Sequence, residues 1–66
     1  MNPSIYEMLA ALDKLRSYAD LSEWEDSFIE NVVGYVNRSN GDTTVLTGKQ
    51  VDKIEQLYER HIGRPH

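Results

Sequence analysis

The chain has 66 residues, no cysteine, and 11 acids against 7 bases, for a formal net charge of −4. This length suits a single domain, residues 1–66, with a marginal core and little room to enclose a substrate, and the acidity argues against non-specific binding to phosphate backbones. The missing cysteines exclude a disulfide framework and a thiolate site and suit a reducing cytoplasm.

No apolar stretch approaches the roughly 20 residues that span a bilayer, and Met1-Asn2-Pro3 opens directly into an amphipathic pattern, not the basic-then-apolar run of a secretory signal. The first helix is expected from about Pro3 to Ser17 or Tyr18, with Asn2 as N-cap and Pro3 at the first helical position. Ile5, Met8, Leu9, Leu12 and Leu15 repeat at three and four residues and form its apolar stripe. Arg16 falls within the stripe near the C-terminal end, where a long stem can lie on apolar surface with its head in water.

The second helix is announced by Leu21-Ser22-Glu23-Trp24-Glu25. A hydroxyl followed three places on by Glu is a capping box: the hydroxyl accepts from an early helix N–H, and the carboxylate reaches back to the cap residue's own N–H. This helix is expected to run to Val36 or Asn37. Trp24, Phe28, Val32 and Tyr35 make one line, widened by Ile29, Val33 and Val36 to about half the circumference, so the helix should touch two neighbours. Trp24 is assigned to the core, and Gly34 suggests a close approach. Asp20, Glu23, Glu25, Asp26 and Glu30 form an acidic block with no base among them, which the helix macrodipole favours over the first turn.

Residues 37–44 are turn-rich, and Asn40-Gly41 predicts a tight turn with positive φ. The stretch Thr43-Thr44-Val45-Leu46 would suit a strand, but no second strand is in view. Leu46-Thr47-Gly48-Lys49-Gln50 repeats the capping box, and Leu46 with Val51 forms a hydrophobic staple. The two boxes are followed by matching residues, Ile29-Glu30 with Ile54-Glu55 and Val32 with Leu57, which is a single duplication at most. Val51, Ile54, Leu57, Tyr58 and Ile62 line one face of the third helix, with Gly63 as its C-terminal cap and Pro65 as its stop. The predicted fold is all-α: a small three-helix bundle made of a helical hairpin and a crossing N-terminal helix.

No constellation of residues carries chemistry. His61 and His66 are the only imidazoles, too few for a structural zinc site. His61 reads instead as a partly buried imidazole in the last turn. Ser22 and Thr47 are occupied as caps, adjacent Glu25 and Asp26 point about 100° apart, and no phosphate-cradling glycine loop exists. The expectation is therefore a non-enzymatic protein with no catalytic, cofactor or metal residue and no small-molecule substrate. It should act on a protein partner or on itself, through a contact zone of Tyr6, Tyr18, Glu23, Asp26, Glu30 and Arg38, because tyrosines outside an apolar stripe are good interface anchors. The alternative is a nucleic-acid accessory role through Lys49, Lys53, Arg60 and Arg64, with the third helix as a recognition helix. Against it, Asp52, Glu55 and Glu59 interleave with these bases, Gln50 already has a capping role, and the connection from Asn37 to Leu46 exceeds a helix-turn-helix turn.

The combined pattern Leu21-Ser22-x-Trp24-Glu25-x-x-Phe28-Ile29, then Leu46-Thr47-x-x-Gln50-x-x-x-Ile54-x-x-x-Tyr58-x-Arg60-His61, resembles small helical proteins of tailed bacteriophages and prophages. The resemblance covers roughly Leu21 to Ile62, excludes the first helix and carries over no catalytic residue. It implies the cytoplasm of a bacterial or phage-infected cell and an accessory or host-modulating role.

Overall fold

The structure, a computed structural model, describes residues 4–17 and 19–63. Three α-helices follow one another, α1 (Ile5–Leu15), α2 (Glu23–Arg38) and α3 (Gly48–His61), with a short 3-10 turn at Thr43–Val45 between the last two. All three helices pack on one another, which makes the protein a small three-helix bundle. The described residues contain no strand, so the stretch that would have suited one is instead the 3-10 turn, capped by Asp42.

Each α-helix begins with a complete capping box. At α2 the Glu25 N–H donates to Ser22 Oγ (3.2 Å) and Ser22 N–H to Glu25 Oε1 (3.2 Å). At α3 the Gln50 N–H donates to Thr47 Oγ1 (3.1 Å) and Thr47 N–H to Gln50 Oε1 (2.9 Å). The third box, Ser4 with Glu7, corrects the expected start of α1: the cap is Ser4, and Asn2 and Pro3 lie outside the described residues. The other end of α1 also comes early, at Leu15, with Ser17 Oγ donating to the Lys14 carbonyl (2.8 Å) in the turn that follows. Such a serine competes for the backbone carbonyls that would continue the helix.

Helix α2 runs on to Arg38, slightly past expectation, and ends in a Schellman motif. The Gly41 N–H reaches the Val36 carbonyl (2.8 Å) and the Asn40 N–H the Asn37 carbonyl (3.2 Å). Asn40 has φ 59° and Gly41 φ 81°, as the Asn-Gly pair predicts. The close of α3 differs. Ile62 is the cap, and the Gly63 N–H closes back on the Tyr58 carbonyl (3.2 Å) without a left-handed backbone. Pro65 and His66 lie outside the described residues.

The core comprises Leu9, Leu12 and Leu15 of α1, Ile29, Val32 and Val36 of α2, Ile54 and Leu57 of α3, and Leu46 before the Thr47 cap. The matched pairs Ile29/Ile54 and Val32/Leu57 are all buried, so the duplicated register serves one shared core. Helices α1 and α2 run antiparallel: Arg16 after α1 meets Asp26 near the start of α2, and Tyr6 near the start of α1 lines a cleft with Asn37 near the end of α2. Helices α2 and α3 are antiparallel as well, since Glu25 meets Arg60 and His61. Gly34 does not mark a helix–helix approach: a Cβ there would meet only the Arg38 guanidinium, at 3.4 Å.

Candidate functional site

Burying Ile29, Val32 and Val36 fixes the rotation of α2, and with it every other side chain of that helix. Residues 24, 28, 31, 35 and 38 form a row on one flank at helical spacing, and residues 23, 26 and 30 form a row on the opposite flank. Trp24 therefore lies outside the core, which corrects its expected position: the residue is 57% exposed. Its ring stacks on Phe28, with centroids 5.4 Å apart and planes at 6°. The Lys53 ammonium sits 5.3 Å from the indole centroid, a cation–π contact that ties this flank to α3.

The same rotation brings a carboxylate to the core edge. Glu25 is four residues before Ile29 and seven before Val32, in the register of the buried face, and is itself buried. One of its oxygens closes the capping box; the other accepts from Arg60 Nη1 at 2.9 Å. His61 Nε2 stands 3.3 Å from that second oxygen, at ion-pair distance but out of line for a hydrogen bond. Burial pushes the Glu25 carboxyl up, but the His61 imidazole, the Ser22 N–H and the Arg60 guanidinium together hold it below its ordinary value. The expected partly buried imidazole is thus present, and its partner is a carboxylate on another helix. Among the described residues no hydroxyl side chain is paired with it: Ser22 and Thr47 are engaged as caps and Ser17 with a backbone carbonyl.

The expected protein-contact residues spread over several parts of the surface. Glu23, Asp26 and Glu30 follow the flank of α2 that borders α1. Arg16 crosses from α1 to meet this row, with Nε 2.8 Å from Asp26, Nη1 3.2 Å from Asp13 and Nη2 3.9 Å from Glu30. Its head is therefore ion-paired, where the sequence had suggested free solvation, and the Asp26 hydrogen bond is the main cause of its raised pKa. Tyr6 is exposed on α1 beside Gly41, and it lines a small cleft with Leu9, Ala10, Asp13, Val33 and Asn37. Arg38 lies at the far end of α2, where it lines a shallow hollow with Tyr35, Gln50 and Glu30, so these two expected contact residues, Glu30 and Arg38, share one hollow. Tyr18 lies outside the described residues.

The bases of α3 are better gathered. Lys49, Lys53 and Arg60, with Gln56, follow one row at spacings of four, three and four, whereas Asp52, Glu55 and Glu59 follow a separate row. Sequence order alone had interleaved them. Lys53, Gln56 and Arg60 line one shallow hollow, which Glu59 borders. Arg64 lies outside the described residues. Sequence reasoning missed the Trp24–Phe28–Lys53 contact and the Glu25 junction. The register of Glu25 with Ile29 and Val32 was the available signal for the second.

Compared with known proteins, the chain matches no family, no curated protein and no solved structure. No helix among the described residues is long and apolar enough to cross a membrane.

Proposed function

We propose that this protein is a non-enzymatic helical interaction module that binds a protein partner or a second copy of itself. The observation that carries the reading is Trp24, stacked on Phe28 with more than half of its surface in water. A small bundle that leaves its only tryptophan on an exposed flank forgoes core burial, and Trp is among the strongest interface anchors. The resemblance to small phage and prophage proteins adds an accessory or host-modulating role in a bacterial or phage-infected cytoplasm. Tyr6 and the Glu23–Asp26–Glu30 flank form a further contact zone in this reading.

The test is affinity capture from a bacterial lysate together with sedimentation of the purified chain, for wild type and Trp24→Ala. A retained protein or a concentration-dependent dimer, weakened by Trp24→Ala, is expected. A monomer at high concentration that retains nothing overturns the reading.

A second reading, nucleic-acid binding, is favoured by one observation: Lys49, Lys53 and Arg60 share a row that Asp52, Glu55 and Glu59 do not enter. It requires binding to duplex or single strands that weakens steeply with salt. Flat titrations at low salt exclude it.

A further inference from the structure

Two rows described above meet along the junction of α2 and α3. Trp24, Phe28 and Arg38 come from α2, and Lys49, Lys53 and Arg60 from α3. Neither row contains an acid, although the chain as a whole carries an excess of four. Three carboxylates border them. Glu25 is buried and engaged by Arg60, Glu30 lies 3.9 Å from Arg16 and also lines the hollow of Arg38, and Glu59 lines the hollow of Lys53 and Arg60. Most of the negative charge thus falls on the other flanks, leaving a face that combines stacked aromatic rings with Arg38, Lys49 and Lys53, while Arg60 is engaged by Glu25 and Glu30 and Glu59 stand at its margins.

We propose that this face docks a short acidic segment of another protein, one that also bears an apolar side chain. The proposal rests on the interaction-module reading and names the partner's chemistry. Charge complementarity selects an acidic occupant, since carboxylates on the partner would meet Lys49, Lys53 and Arg38 along two rows that carry no acid of their own. The exposed edge of the Trp24–Phe28 stack supplies the anchor for an apolar side chain. Two observations favour a short peptide over a nucleic-acid strand. Phe28 already stacks on the Trp24 ring and the Lys53 ammonium lies 5.3 Å from its centroid, so a stacking base would have to compete with both for the indole. A long polyanion would also run off a face on a molecule only 29 Å across, onto flanks carrying Asp26, Glu30, Asp52 and Glu55.

Trp24 is the only tryptophan, so its fluorescence reports on this face alone. The experiment titrates the full chain with three probes: a synthetic peptide of Asp, Glu and Leu, a Ser, Gly and Leu peptide of equal length, and oligothymidylate. A saturable emission change with the acidic peptide only is expected, weakening as salt is raised and about tenfold weaker in Lys49→Glu/Lys53→Glu, a loss of about 1.4 kcal/mol. Lys49→Gln/Lys53→Gln should lie between. Helical circular dichroism confirms that each variant is folded, and the glutamine pair serves if the glutamate pair is not. The proposal is overturned if oligothymidylate alone changes the emission, if no probe does, if both peptides act equally, or if the lysine variants bind like wild type. Should lysate capture persist in the lysine variants, the interaction module stands and only this face falls.

Discussion

Glu25 shows how much one side chain can be asked to do. Its first oxygen satisfies the Ser22 N–H at the start of α2, and its second holds Arg60 and faces His61 at the end of α3. The local motif explains only the first of these contacts. Glu25→Gln keeps the capping geometry, as Gln50 does at α3, but removes the charge that faces two basic side chains. It is expected to cost about 1–2 kcal/mol in urea denaturation at neutral pH. The pH dependence follows from the depressed carboxyl. A folded-state value below the ordinary 4.5 means that its stabilisation is fully present above that value and disappears as pH falls through the folded one. The stability gap between wild type and Glu25→Gln should therefore close progressively as pH falls below about 4.5. A gap unchanged at pH 3 would show that the carboxylate has no depressed value. Asp42, drawn down by the Thr44 hydroxyl and N–H, titrates in the same direction in both proteins and so cancels from the comparison.

At the scale of the element, three capping boxes launch three helices, and every box partner lies three residues away. That is why the starts of α2 and α3 were legible in the sequence: each bond depends only on residue type and spacing. The start of α1 carried the same signature in Ser4-x-x-Glu7, but Asn2-Pro3 offered a competing cap just upstream. Ser4→Ala and Thr47→Ala should each lower stability by about 1 kcal/mol, read from the urea midpoint at unchanged slope. If Ser4→Ala alone is neutral, α1 begins elsewhere or frays through its first turn. Helix ends were less legible than helix starts. Asn40 was readable because a left-handed residue restricts the choice of side chain. Gly63 carried the same cue, yet its N–H finds the Tyr58 carbonyl without that conformation.

For the whole molecule, the core is a single cluster to which all three helices contribute, with Leu12, Ile29 and Ile54 completely shielded. A domain of this size has little stability to spare. Leu12→Ala leaves a cavity at the meeting point of the helices and should cost about 2–5 kcal/mol, enough to populate the unfolded state at room temperature. Far-UV circular dichroism should then show a marked loss of helix relative to wild type, and a fully helical variant would mean that the site collapses around the smaller side chain. The same packing sorts the surface charge. Once Ile29 and Ile54 face inward, Asp26 and Glu30 fall beside Arg16, while Lys49, Lys53 and Arg60 fall along the other seam.

Interactions that close within one turn were set by residue order alone: the boxes at Ser22 and Thr47, the Asn40-Gly41 turn, and the apolar periodicity of Leu9, Leu12 and Leu15. The exposure of Trp24, the burial of Glu25 and the pairing of Arg16 depended on which flank of a helix received a neighbour. Trp24 and Val32 share one apolar line on α2, and no local rule distinguishes the half that meets α1 and α3 from the half that meets water. Packing makes that choice, because an apolar arc covering half a helix is wider than two small neighbours can shield.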